Sequence, residues 1–317
     1  MPITVESFGG RVGWLARKIV PGLSSWGFTK LMFLLRRNET IKYIDSFLIS
    51  EIPFKPLSIA IETINRCNST CSFCPCNVHD EVRPYKRMTD ETFQLIIKHL
   101  LSWDYKGRIV MNVNNEPFMD SAIIERTKLM REKLPEANIY LITNGTLLTL
   151  DKFRKIAPFL DKININNYSN AMRLHDNIDE IVSYVKNNLN EFCHLTIDIQ
   201  YRYLNEVLSN RNGSAPNKPV ASTKQDEVHE PCLEPYTCMY IYPDGIVGLC
   251  CYDALEKISL GNCKEKTLAE IWSSDEYTRI RELMRKKRSN YGFCKYCDGF
   301  SKMIRTKLSS GKKRPSA

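Results

Sequence analysis

Leu57-Ser-Ile-Ala-Ile61 runs through Glu-Thr-Ile-Asn-Arg into Cys67-Asn-Ser-Thr-Cys71-Ser-Phe-Cys74. The first five residues read as a buried strand, and a Cys-x3-Cys-x2-Cys array follows in the loop at its carboxyl end. Three thiolates at this spacing hold three irons of a four-iron cluster and leave the fourth iron without a protein ligand, open to chemistry. A structural zinc site is the competing reading, since short cysteine clusters in cytosolic chains often bind zinc, but it needs a fourth donor close by. Cys76 stands so near the third cysteine that the Cys-Pro-Cys segment does not close on the same metal.

Downstream of this loop, strand and helix periods alternate. Thr89-Asp90-Glu91 opens a helix carrying Phe93, Ile96, Ile97, Leu100 and Leu101 at helical spacing. Strands are expected at Arg108–Val113, Asn138–Ile142, Lys162–Ile165 and Leu195–Tyr201, with helices at Ser121–Lys133, Leu150–Leu160 and around Ile178–Leu189. Strands separated by helices imply parallel pairing through crossovers, hence an open α/β sheet or a partial barrel. Ligands of such folds gather at the carboxyl ends of the strands, which is where the cysteine loop stands.

Residues 205–229 lose this periodicity and read as a linker or a loop over the site. A cysteine-rich module spans 230–300. In it Pro243-Asp244-Gly245 marks a hairpin between Cys238–Tyr242 and Ile246–Cys251. Thr267-Leu-Ala-Glu270 is a capping box, and Ile271, Trp272, Ile280, Leu283 and Met284 are expected to continue one helix from it. Cys232, Cys238, Cys250, Cys251, Cys263, Cys294 and Cys297 give this module enough thiols for a second metal site, either a cluster or a zinc ribbon.

The net charge of +9 is concentrated at the ends. Residues 1–55 hold eight Lys or Arg against four acids, and residues 301–317 hold six bases and no acid, so the middle is nearly neutral. Basic ends on a neutral body argue against a nucleic-acid partner and for solvated tails. The N-terminal 55 residues mix Trp14, Leu15, Trp26, Phe28 and Leu31–Leu35 with bases. They fall short of the roughly 20 apolar residues of a membrane span, and either pack on the main domain or make peripheral membrane contact. Twelve cysteines without a secretory signal point to the cytoplasm.

The arrangement from 56 to 300 resembles radical S-adenosylmethionine (SAM) enzymes with a C-terminal auxiliary-cluster domain of the SPASM or shorter twitch type. Cys67, Cys71 and Cys74, with Phe73 before the third cysteine, are similar to the family's cluster loop. Asn114-Asn115-Glu116-Pro117 looks like its Gly-Gly-Glu-Pro segment, with both glycines replaced by asparagine, and Thr143-Asn144-Gly145 closes the third strand. Pro243 through Asp253, Leu260-Gly261-Asn262, Leu268–Trp272 and Cys294-x2-Cys297 look like the auxiliary domain.

The resemblance implies a partial (β/α)6-type radical SAM barrel over 56–204, followed by a small auxiliary-cluster domain of hairpin plus helix over 230–300. It implies a [4Fe-4S] cluster with an open iron on Cys67, Cys71 and Cys74, and SAM held by Phe73, Asn115, Glu116, Thr143 and Asn144. Glu116 is expected to accept from the methionine ammonium. It implies one auxiliary [4Fe-4S] cluster, with ligands Cys232, Cys250, Cys294 and Cys297 as in the single-cluster aminocyclitol dehydrogenases of the family. Cys251 can replace Cys250 there, and Cys238 can replace Cys232. Cys193, Cys263 and Cys76 read as structural thiols.

The implied reaction is reductive cleavage of SAM to a 5′-deoxyadenosyl radical, which abstracts a hydrogen atom from an alcohol carbon of a small sugar or aminocyclitol-like substrate. The auxiliary cluster then accepts an electron, and an external donor such as flavodoxin or ferredoxin supplies the first one. Arg202, Arg211 and Asp253 are the candidates for receiving the proton. Two rivals stand beside this reading: a peptide-modifying enzyme or epimerase in which Cys251 returns a hydrogen atom, and a non-enzymatic zinc-binding protein.

Overall fold

Isoleucines at alternate positions set the architecture: the two-residue period of a strand puts Ile163 with Ile165, and Ile197 with Ile199, on one buried face. The computed structural model describes residues 3–7, 55–76, 83–218 and 232–299. Within these ranges the strands are β1 (Ile3–Ser7), β2 (Ser58–Ile61), β3 (Arg108–Val110), β4 (Asn138–Thr143), β5 (Lys162–Tyr168), β6 (Thr196–Arg202), β7 (Cys238–Ile241) and β8 (Val247–Gly248). They form one sheet in the order β1-β6-β5-β4-β3-β2-β7-β8. Every pairing is parallel except the β7–β8 hairpin.

From β2 to β6 the strands follow one another in sequence, each pair joined by a helix: α1 (Asp90–Ser102), α2 (Ile123–Lys133), α3 (Leu150–Ile156) and α4 (Asp176–Asn187). This is the expected β/α repeat. Thr89 caps α1 by accepting from the Thr92 amide at 3.2 Å, and Thr149 caps α3 in the same way from Lys152. Phe93, Ile96, Leu100, Phe153, Ile156, Ile181 and Val185 are buried against Ile59, Ile109, Ile139, Leu141, Ile163 and Ile197 in one core.

Two joins to this repeat do not follow from its periodicity. β1 adds a parallel strand beside β6, with Ile3 level with Ile197 and Ser7 level with Tyr201. After the single turn of α5 (Glu234–Thr237), β7 pairs parallel to β2, so the hairpin of the cysteine-rich module continues the sheet on its other side. The N-terminal segment 8–54, where peripheral membrane contact is expected, lies outside the described residues, as do 219–231 and the basic tail. Among the described residues no helix is long and apolar enough to cross a membrane.

Three boundaries differ from expectation for local reasons. β3 stops at Val110 because the Ile142 amide, the next ladder position on β4, is taken at 3.0 Å by the Asn112 side chain. α3 tightens into a 3₁₀ turn at Ala157–Phe159, where Pro158 removes a donor. The single helix expected after Thr267 is two helices, α6 (Leu268–Trp272) and α7 (Asp275–Lys286). The capping box at Thr267 and Glu270 forms, but Ser274 starts a new helix by accepting from the Tyr277 amide at 3.3 Å. Trp272 and Tyr277 then pack across the break with ring centroids 4.8 Å apart.

Candidate functional site

The carboxyl end of β2 is the origin of the site. Glu62 follows the strand directly and is fully buried, a position at which a carboxylate needs partners. Arg83 supplies one at 2.6 Å, and the Asn114 amide donates a second hydrogen bond at 2.8 Å. Burial still holds the Glu62 carboxyl above its usual range, against the lowering effect of Arg83. Arg83 reaches Glu256 at 3.1 Å, and Lys86 reaches Glu256 at 2.7 Å and Asp244 at 2.6 Å. A buried charge network therefore joins this strand end to the cysteine-rich hairpin.

Beyond Glu62, the cysteine loop turns tightly, with the Cys74 amide donating to the Cys71 carbonyl at 3.0 Å. Polar hydrogens already point at two of its sulfurs: the Ser69 amide at Cys67 (3.4 Å) and the Asn144 side chain at Cys67 (3.7 Å), with the Ser69 hydroxyl 3.1 Å from Cys71. Burial pushes the Cys67 thiol up to about 12 and raises Cys71 as well. Thiols held neutral in this way ionise when a cationic metal centre binds them. Phe73 is buried beneath Arg202 and Tyr168, whose rings and guanidinium stack within 6 Å of one another.

Glu116, the residue expected to meet the methionine ammonium, has three hydrogen-bond donors of the chain around it. Its carboxylate accepts from the Thr143 hydroxyl at 2.7 Å, the Asn144 amide at 2.7 Å and the Phe118 amide at 3.2 Å, and is almost wholly buried. It braces the end of β4. Asn114 has work that a glycine cannot do: its side chain donates to the Cys251 carbonyl at 3.1 Å and accepts from Arg211 at 3.1 Å. Its own carbonyl receives the Cys76 thiol at 2.8 Å. The Asn115 side-chain oxygen caps the Val113 amide at 2.9 Å, and its nitrogen is buried without a hydrogen-bond partner among the described residues.

The three candidates for proton transfer separate clearly. Asp253 is buried, and its carboxylate accepts from the Lys257 and Ile258 amides at 2.9 and 2.8 Å, shaping the turn after β8. Arg202 is held by both carboxylate oxygens of Glu206, which strengthens its hold on its proton. Arg211 lies between Asn114 and the Tyr252 ring, 6.0 Å from its centroid, at the junction of the two cysteine regions. Arg211 and Asn212 both have positive φ, 44° and 57°, a conformation costly for residues with a Cβ.

In the second module the thiol of Cys250 lies within electrostatic reach of those of Cys251, Cys294, Cys297 and Cys232. Cys238 instead faces Glu234, Thr237, Tyr240 and Cys251. Burial raises the thiols of Cys232 (to about 11), Cys250, Cys294 and Cys297. Buried Arg288 counters this at Cys232, Cys294 and Cys297, and donates to the Cys297 carbonyl at 2.8 Å. The described residues include all twelve cysteines, and none of them is in a disulfide. Sequence reasoning missed Glu62, Arg83 and Arg288. Of these only Glu62, the acid that directly follows an apolar strand, carried a readable signal.

Two family descriptions match the chain. The radical SAM superfamily matches residues 61–196, and the iron-sulfur cluster-binding domain SPASM matches residues 232–298. Over 246 residues the chain is 25% identical to the S-adenosyl-L-methionine-dependent 2-deoxy-scyllo-inosamine dehydrogenase of Niallia circulans, covering 77% of this chain and 93% of that protein. The crystal structure of BtrN in complex with AdoMet and 2-DOIA superposes with a TM-score of 0.64 at 22% identity, over 77% of this chain and 94% of the other. Hexahistidine-tagged anSMEcpe with bound AdoMet gives a TM-score of 0.53 at 15% identity, over 73% and 81% of the two chains.

Proposed function

Because this chain is a radical SAM enzyme with a C-terminal SPASM domain, we propose that it oxidises an alcohol carbon of a small polar substrate to a carbonyl. The functional units are the barrel over 56–204, the loop over 205–229 and the auxiliary domain over 230–300. Cys67, Cys71 and Cys74 hold the SAM-binding cluster, and Cys232, Cys250, Cys294 and Cys297 hold the auxiliary one. Among the described residues no three His, Cys, Asp or Glu side chains converge on the position of a single ion. In a cluster each iron takes its own thiolate, so a set of three or four cysteines serves one cluster.

The bound cofactors supply a 5′-deoxyadenosyl radical and an acceptor for one electron. The rest belongs to the chain. The orphaned Asn115 nitrogen is a donor beside the cysteine loop, fitted to an acceptor such as the SAM carboxylate. Arg211 binds the substrate hydroxyl and offsets the negative charge that grows on oxygen as its proton leaves. A guanidinium keeps its own proton, so Arg211 polarises the hydroxyl, and water takes the proton. The hydroxyl of an α-hydroxyalkyl radical is far more acidic than that of its parent alcohol, so no strong base is needed.

The carrying observation is Arg211 between Asn114, on the SAM side, and Tyr252, on the auxiliary side. The likeness to a dehydrogenase over 77% of the chain supports the same reaction class. An external donor such as flavodoxin or ferredoxin reduces the first cluster, in the cytoplasm.

The test is anaerobic reconstitution, then reductant, SAM and 2-deoxy-scyllo-inosamine deuterated at its carbinol carbons. Deuterium in 5′-deoxyadenosine together with a ketone product supports the reading. Deuterium transfer without ketone, or turnover only with a peptide, sinks it.

A further inference from the structure

A strap of chain after β6, residues 203–218, touches both cysteine regions. At its base, the Ser72 amide donates to the Leu204 carbonyl at 2.8 Å, and the Asn217 side chain donates to the Ser72 hydroxyl at 3.0 Å. Ser72 lies between Cys71 and Cys74, so both feet of the strap stand on the first cysteine loop. Its crest meets the second. The Asn210 amide donates to the Asp298 carboxylate at 2.6 Å, and the Asn210 side chain donates to the Tyr296 carbonyl at 2.6 Å. The Asp298 amide returns a hydrogen bond to the Asn210 side-chain oxygen at 3.3 Å. Lys218 adds an ion pair to Asp298 at 2.5 Å.

Asn210 is fully buried, and Asp298 follows Cys297 directly. The next residues after Asn210 are Arg211, Asn212 and Gly213, all with positive φ (44°, 57° and 84°). An isolated loop does not hold two such non-glycine residues in succession; surrounding contacts must impose the conformation. The reciprocal pair of Asn210 and Asp298 is the contact next to the strain, and it ends on the turn that carries Cys294 and Cys297.

We propose that Asn210 and Asp298 are positioning residues that transmit the order of the auxiliary-cluster turn to Arg211, so that Arg211 is presented at the site only when Cys294 and Cys297 are held on their cluster. This rests on the assignment of those two cysteines as ligands, and does not depend on which substrate is oxidised. Its use is timing: without an electron acceptor in place, the group that binds the substrate hydroxyl is not set.

Limited proteolysis of the reconstituted full-length chain, with iron and sulfide measured on every sample, tests it. Wild-type protein should resist cleavage within 205–218. Cleavage there should speed up at least tenfold in Asn210→Ala with both clusters retained. It should do the same in the double variant Cys294→Ala, Cys297→Ala, which keeps the first cluster. Asp298→Asn, which keeps an acceptor for the Asn210 amide, should restore most of the protection that Asp298→Ala loses. Should Asn210→Ala fail to fold, Lys218→Met, which removes a tie to Asp298 away from any ligand, should also expose the strap. Unchanged protection in Asn210→Ala or in Lys218→Met, or in the protein lacking the auxiliary cluster, overturns the proposal. An iron content of one cluster in the wild type would instead overturn the ligand assignment beneath it.

Discussion

Arg83 and Glu62 form an ion pair 2.6 Å long with both side chains buried, and Arg83 extends it to Glu256 of the cysteine-rich module. Removing one member of such a pair leaves an uncompensated charge in the core, at a cost of about 3–5 kcal/mol. Arg83→Met should lose stability of that order in urea denaturation at pH 8. The loss should shrink toward pH 5. Burial already raises the Glu62 carboxyl, and without Arg83 it rises further. An acid whose folded value exceeds its unfolded one makes the fold bind protons, so stability falls as pH rises through the folded value. A pH-independent loss would refute this account.

Iron content separates the two cysteine sets. Cys294→Ala with Cys297→Ala should remove about four irons per chain and leave SAM cleavage by chemical reductant intact. Cys71→Ala should abolish cleavage while the auxiliary iron stays. If either change removes both clusters' iron, the sites are not independent.

Arg288 brings a fixed positive charge to three of the four thiols proposed as auxiliary ligands. A cation near a cluster favours its reduced, more negative state. Potentiometric titration followed by electron paramagnetic resonance should show a lower midpoint potential for the auxiliary cluster in Arg288→Gln and a near-native one in Arg288→Lys. The first cluster should be unmoved by either.

Glu116 offers a discrimination between two roles. As a brace for Thr143, Asn144 and Phe118, it should cost about 1–3 kcal/mol of stability when changed to Gln, because the new amide presents a donor to donors. As an acceptor for the SAM ammonium, it would instead weaken SAM binding with little change in Tm. The expected outcome is a lower Tm, read by calorimetry alongside SAM titration.

The repeat from β2 to β6 was legible because parallel strands and amphipathic helices write their periods into neighbouring residues. Cys67, Cys71 and Cys74 were legible because a loop fixes their spacing. What could not be read was long-range pairing. Nothing local to Cys238–Ile241 says that it lies beside Ser58–Ile61, and Asn210 meets Asp298 across 88 residues of chain. The replacement of two glycines by Asn114 and Asn115 looked like a departure from pattern. Its reason appears only where the Asn114 side chain reaches Cys251 and Arg211.

The pairing of β7 with β2 has a mechanical consequence. The loop bearing Cys67 leaves the end of β2, and the hairpin that leads to Cys250 grows from β7, so the two cysteine regions extend from adjacent strands of one backbone ladder. Swinging one domain away from the other would require tearing that ladder, rung by rung, out of a buried sheet. The roots of the two cysteine regions are therefore fixed relative to each other, like two teeth of the same comb. Any movement that admits a substrate is therefore left to the loops and not to a hinge between the two regions.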